Sequence, residues 1–272
     1  MLEQILQDQN TRGISFLQSC KMIFSITFRQ TIRSKKTVFM LILVFVPVYL
    51  AIYYRISGTK TPMEPGMALS FIMMFFLQFL SVLVALFYAT ALVADEIDNR
   101  TITYLFTRPV RKYSIILGKF AAYMVEVLLL LVPAMLITFI IIATDSRIFS
   151  DFASSLSIFA KRFGVIILSL TTYGAIFMFF GVWWKRPVLL GLIFAFGWEK
   201  AVLVVPGAIR KFSVIHYLMS AFPGGDRLRM GMPKQLFPSS SPNLSIFLLI
   251  IIVVVFMGLS IFLFSRKEYK FE

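Results

Sequence analysis

The chain has little of what soluble enzymes are commonly built around. Of its 272 residues one is cysteine, Cys20, and one is histidine, His216. A single cysteine excludes an intrachain disulfide, and with one histidine there is no His/Cys set for a zinc site. Charged residues make up only 15% of the chain against 59% hydrophobic ones. A soluble domain would spread its apolar residues periodically, whereas here they are massed in long runs. Those runs do not alternate with polar residues, which excludes a strand barrel. A phosphate-binding loop is also missing. The nearest approach, Gly118-Lys119, has Tyr113 where the first glycine belongs and Phe120 where the hydroxyl belongs. The chain is therefore expected to carry no catalytic, cofactor or metal site of its own. Residues 1–36 are polar to amphipathic and lack the pattern of a cleaved signal.

What is present is apolar length. A helix needs about 20 residues to cross the hydrocarbon, and six runs approach that: Thr37–Tyr54, Met67–Ala94, Ser114–Ala143, Phe163–Trp184, Val188–Val205 and Leu244–Ser265. Every backbone group in hydrocarbon needs an internal partner, so these runs predict helices. Pro47 and Pro133 predict kinks in two of them. The expected fold is all-α and integral to the membrane: a single permease-like domain over 1–272. It divides into a 1–36 interfacial segment, a 37–265 six-helix body and a 266–272 tail. The formal charge is +14, which in such a chain points to lipid headgroups rather than nucleic acid. The bases before the first run, among them Arg29, Arg33, Lys35 and Lys36, favour both termini on the cytoplasmic side.

Ahead of the first run, Leu17, Cys20, Phe24, Phe28 and Thr31 share one helical face, and Lys21, Ser25, Arg29 and Arg33 another. That predicts an interfacial amphipathic helix. Two outer segments exceed turn length. In 145–162, Ile148, Phe152, Leu156 and Phe159 recur at helical spacing, which predicts a helix along the outer surface. In 206–243, Ile209, Phe212, His216, Met219 and Phe222 predict an amphipathic helix, followed by repeated Pro and Gly breaks. Its bases, Arg210, Lys211, Arg227, Arg229 and Lys234, suit headgroups or an outer-side partner protein.

The largest inner loop, Asp95 to Tyr113, interrupts the apolar chain with Asp95, Glu96, Asp98, Arg100, Arg108, Arg111 and Lys112. Ile97, Thr101, Ile102, Leu105 and Phe106 form a short apolar stripe, and Thr107-Arg108-Pro109 reads as a helix stop. A solvated connector would need neither the acids, the stripe nor the stop. The pattern Glu96, Thr101, Leu105, Arg108-Pro109-Val110, Arg111 and Ile116-Leu117-Gly118-Lys119 resembles the signature loop of type-2 ABC transporter permeases. It departs from that signature where Arg100 replaces the usual glycine. The resemblance implies that Asp95, Glu96, Asp98, Arg100, Thr101, Leu105, Arg108, Pro109 and Arg111 form a coupling helix docked on an ATP-hydrolysing subunit. It further implies two ATP-binding subunits holding ATP and Mg, a second permease copy or paralogue, export as the direction, and a prokaryotic inner membrane. Mixed charges on such an element fix register more than they add affinity.

Inside the spans, Glu126 lies about 18 Å from the inner end of its run at helical rise, where a carboxylate faces protein or water. It is either a pathway residue or an interhelical partner of Gln78 or Ser81. Glu199 and Lys200 read as an outer-interface pair. Gly191 and Ala195 form a small-residue step, a candidate dimer contact that the resemblance also implies. Trp183-Trp184-Lys185-Arg186 reads as an interfacial anchor. The function expected is the membrane subunit of an ATP-driven exporter; mechanical action on an outer partner, or an ATP-independent channel or secondary transporter, stay open as alternatives.

Overall fold

A computed structural model of the protein describes residues 16–57, 64–98, 112–145, 152–204, 208–224 and 240–266. Among these, every regular element is a helix. In chain order they are α1 (Phe16–Ile32), α2 (Lys35–Val44), α3 (Val46–Ser57), α4 (Pro65–Phe75), a π segment (Phe76–Leu80) and α5 (Ser81–Asp98). After these come α6 (Lys112–Ala143), α7 (Phe152–Trp183), α8 (Pro187–Leu192), a second π segment (Ile193–Trp198) and α9 (Glu199–Val204). A 3₁₀ turn (Ala208–Phe212), α10 (Val214–Ala221) and α11 (Pro242–Arg266) complete the order. Five stretches of described helix are long and apolar enough to cross a membrane: Lys35–Ser57, Pro65–Val93, Tyr113–Ala143, Phe152–Trp183 and Pro242–Arg266. The anticipated run 188–205 is helical as three short pieces, α8, the second π segment and α9, and is not among those five.

Pro47 acts through its missing N–H. Helix α2 ends at Val44, Phe45 closes it by donating to the Leu41 carbonyl, and Pro47 sits in the first turn of α3, where no donor is needed. Pro133 is carried inside the continuous helix α6. The π segments were not foreseen. A single wide turn leaves no trace in a uniformly apolar run, and the two segments meet through Phe79 and Phe196 at 6.3 Å between ring centres.

The core forms where α5 and α7 pack closely. A Cβ at Gly181 would stand 2.8 Å from the Thr90 carbonyl oxygen, and Ser81 and Ser169 share a buried hydrogen bond of 2.8 Å. Small residues and paired hydroxyls are what bring helices together where no water drives association.

One expectation is corrected. The segment 152–162 does not lie along the outer surface; it is the first third of α7, continuous with the span. Nothing in 152–163 breaks the helix, and Phe159 stacks on Phe139 of α6 at 4.3 Å. The segment before the first span is helical, as α1, with Lys21, Ser25, Arg29 and Arg33 exposed. The buried line of α1 is Ser19, Ile23 and Thr27, while Leu17 is 73% exposed. This helix packs on α6 of its own chain through that line, with Ile23 against Gly118.

Candidate functional site

The residues of the signature loop from Arg100 to Arg111, including Thr101, Leu105, Arg108 and Pro109, lie outside the described residues. Asp95, Glu96 and Asp98 belong to the last turn of α5. What is described is the root from which the segment springs. Helix α5 ends at Asp98 and α6 begins at Lys112, and two neighbouring residues of α6 tie that root together. A Cβ at Gly118 would stand 3.0 Å from the Cys20 carbonyl oxygen and 3.2 Å from the Ile23 Cβ, so only glycine lets α1 approach this closely. The Cys20 Sγ donates to the Ser114 carbonyl one turn away. The next residue, Lys119, is 2% exposed and its Nζ donates to the Leu92 carbonyl near the end of α5. Gly118 therefore admits α1 and Lys119 holds α5. The Leu-Gly-Lys step of the loop motif is a three-helix knot.

Beyond the knot, Tyr123 is fully buried and donates to the Leu170 carbonyl at 2.9 Å. Gly174 leaves room for its ring, since a Cβ there would meet the ring at 2.4 Å. The knot is thereby joined to α7.

One turn further stands Glu126, 3% exposed, with neither carboxylate oxygen hydrogen-bonded. The anticipated partners are engaged elsewhere. Gln78 donates to the Met219 Sδ at 3.8 Å, and Ser81 bonds Ser169 and the Leu77 carbonyl. Glu126 stands against the start of α2. It lines one pocket with Thr37 and Tyr88, and Thr37 lies in the first turn of α2. On the far side Arg55, at the end of α3, pairs with Asp145 at 3.3 Å and donates to the Thr144 carbonyl at 3.2 Å. From Thr37 to Arg55 is about 27 Å of helix, and from Glu126 to Asp145 about 28 Å. Both match a hydrocarbon layer of about 30 Å.

The opposite end carries a second construction. Glu199, 1% exposed, accepts from the Ser213 hydroxyl at 2.7 Å and from the backbone N–H groups of Val214 and Ile215 at 3.1 and 2.9 Å. These are the first free donors of α10, so the carboxylate caps that helix and complements its dipole. Lys200, the expected partner, acts on the same carboxylate electrostatically. The cap also explains why the predicted amphipathic helix breaks: α10 restarts at Val214 on the Glu199 cap, leaving Phe212 76% exposed. At the other end of α10, Arg162 of α7 donates to the Pro223 carbonyl at 3.2 Å and to the Ser70 hydroxyl at 2.6 Å, and lies 5.4 Å from the Phe222 ring centre. Helix α10 is thus held by an anion at its N-terminus and a cation at its C-terminus. His216 bonds the Ser240 hydroxyl at 3.2 Å, which ties α10 to the start of α11.

Gly191 and Ala195 are buried. The space beside Gly191 is filled by Leu86 at 2.2 Å and Phe177 at 3.4 Å from a Cβ position, so its close approach is to α5 and α7 of the same chain. The outward residues of that stretch are Leu189, Ile193 and Phe196. Among the described residues no cluster could hold a metal ion.

A loop motif that folds into a helix knot, on a bundle of membrane-length helices, calls for comparison at the level of families. The model of the ABC-2 family transporter proteins matches residues 22–269. The chain belongs to that family. Membership makes this ABC-2 protein a membrane subunit of an ABC transporter, with an ATP-binding subunit as the general partner. No curated protein matches the chain.

Proposed function

We propose that this permease couples ATP hydrolysis in a partner subunit to export, through the segment from Asp95 to Arg111. The observation that supports the reading is the Gly118–Lys119 knot. A push delivered to the 95–111 segment enters at the roots of α5 and α6, which Lys119 locks together and Gly118 locks to α1. From there Tyr123 passes displacement to α7, a single helix of 32 residues that carries the Arg162 clamp in its first third. At about 1.5 Å per residue this rod is about 48 Å long, enough to link the two faces. Asp95, Glu96, Asp98, Arg100, Arg108 and Arg111 would make charge-assisted contacts with two ATPase subunits carrying ATP and Mg, with Thr101, Leu105 and Pro109 shaping the docking helix. A second permease copy or paralogue would pack on the stretch around Gly191 and Ala195, using its outward face of Leu189, Ile193 and Phe196. Both termini would lie in the cytoplasm of a prokaryotic cell.

A second reading draws on the same rod. Because α10 is clamped at both ends, motion of α7 would be delivered intact to an outer-side protein rather than to cargo.

The experiment is gentle-detergent purification of the tagged native complex, with an ATPase assay of the eluate. We expect an ATP-binding subunit with the wild type, and its loss or uncoupling in Glu96→Ala/Arg108→Ala. Recovery of the variant's ATPase at wild-type level, still responsive to the permease, would refute the coupling role of this segment.

A further inference from the structure

A cavity of about 990 Å³ lies between α7, α10 and α11. That is the upper end of the range for small-molecule sites, about 300–1,000 Å³. Its walls are mostly apolar: Val165, Ile167 and Leu168 of α7, Phe222 after α10 and Ile246 of α11. Gly164 opens the α7 wall. A Cβ there would meet nothing within 4 Å, so the glycine leaves empty space where a side chain would stand. Among the described residues that line the cavity there is one cation, Lys161, and no acid.

Along α7 the cavity extends from Lys161 to Thr171, about 15 Å of helix, and its two ends differ. At the far end the Thr171 hydroxyl gives its proton to the Ile167 carbonyl at 2.8 Å. At the near end Lys161 and Asn243 are both exposed. Among the described residues neither of these side chains has a hydrogen-bond or ion-pair partner. The groups beside them are committed: Arg162 donates to Ser70 and Pro223, and Ser220 to the His216 carbonyl. Helices α7 and α11 run in the same direction, because their early residues line one cavity and further along Phe179 meets Phe256 at 5.4 Å. Lys161 and Asn243 therefore share one end. Both helices change character there: residues 163–184 and 244–265 carry no charged side chain. Each stretch is about 33 Å of helix, against a hydrocarbon layer of about 30 Å. The cavity is thus polar at the edge of that layer and apolar along its depth.

We infer that this cavity binds an amphiphile with an anionic headgroup, the head on the Lys161 ammonium and the Asn243 amide and the chain along Gly164, Leu168 and Ile246. A small inorganic anion would leave the apolar walls uncovered. A cationic amphiphile would bring its charge to Lys161 with no acid to receive it, and an uncharged one would leave the ammonium without a counter-charge. The ammonium has three N–H donors and the amide two, and charge-assisted bonds to a phosphate or carboxylate are the strong kind. Two sources offer this chemistry: an anionic phospholipid of the bilayer and a free alkyl phosphate or fatty acid. The inference is independent of ATP coupling, because it concerns binding to the permease alone.

The test is calorimetric titration of the full-length permease, in phosphatidylcholine nanodiscs, with dodecyl phosphate, with empty nanodiscs as the partition control. One saturable equivalent is expected beyond partitioning. Lys161→Gln should weaken it at least tenfold, whereas Lys161→Arg, which keeps the charge, should stay within a few-fold of wild type. Gly164→Leu, whose side chain enters the empty space, should also weaken binding at least tenfold, at an unchanged unfolding temperature. Dodecyltrimethylammonium, of the same chain but opposite charge, should show no saturable site. Repeating the titration with phosphatidylglycerol in the nanodiscs, against empty nanodiscs of the same composition, separates the sources. A fall in apparent affinity means that the anionic lipid competes for the site; an unchanged affinity means that the site takes the free amphiphile. No saturable binding by wild type would overturn the inference. So would equal binding by wild type and either Lys161→Gln or Gly164→Leu, or equal binding of the trimethylammonium probe.

Discussion

Glu126 and Glu199 are both glutamates buried almost completely, 3% and 1% exposed, and they are treated in opposite ways. Glu199 receives two backbone N–H groups and a hydroxyl from the start of α10. Glu126 receives none, although three hydroxyl-bearing residues surround it. A buried carboxylate with its full set of donors is a structural fastening, and removing it orphans the groups that were bonded to it. One whose neighbours give their protons elsewhere contributes nothing to the fold that a neutral isostere would not. The contrast separates two parts of the permease: the Glu199 carboxylate holds α10 still, and the Glu126 carboxylate fastens no helix start.

That comparison can be broken by substitution. The largest effect should come from Glu199→Ala, which leaves two buried N–H groups and a helix start without a partner. A loss of about 3–5 kcal/mol is expected, measured as a lower unfolding temperature in detergent, with proteolysis in the 208–224 region. Next comes Gly118→Val. Its side chain would collide with backbone of α1, and about 1–3 kcal/mol is expected, read as detachment of α1 by cysteine labelling at Cys20. Arg162→Lys keeps the charge but loses the planar fork that serves Ser70 and Pro223 together. About 1–2 kcal/mol is expected, in the same unfolding assay. Glu126→Gln should be the smallest among the buried sites, within about 1 kcal/mol of wild type; a loss as large as that of Glu199→Ala would end the distinction drawn here. Arg55→Ala, at a half-exposed pair, should cost less than about 1 kcal/mol and be masked by salt.

Much of the architecture was legible in the chain. The helices of 35–57, 65–98, 112–143 and 242–266 follow from unbroken apolar length, and Pro47 marked its break because a missing N–H acts locally. The loop motif was legible as a resemblance, and its Gly118-Lys119 step has a physical reading: one residue too small to obstruct α1 and one long enough to reach α5. What was not legible depended on which neighbour lay opposite. The contact of α1 with α6, which buries Ser19, Ile23 and Thr27, was not legible because it depends on a helix far along the chain. The capping of α10 by Glu199 was not legible, because sequence neighbours such as Lys200 are visible and helix starts across the fold are not.

From the sequence by itself came the class of molecule: membrane helices, their approximate number, and the loop motif that resembles the family's. Those properties rest on composition, run length and motifs, which act over a few residues. The fate of each buried polar group was decided by tertiary structure alone. A hydrogen bond needs a donor within about 3 Å, and whether one is present depends on residues such as Tyr88 and Thr37, or Ser213 and Val214, that only the folded chain brings to the carboxylate.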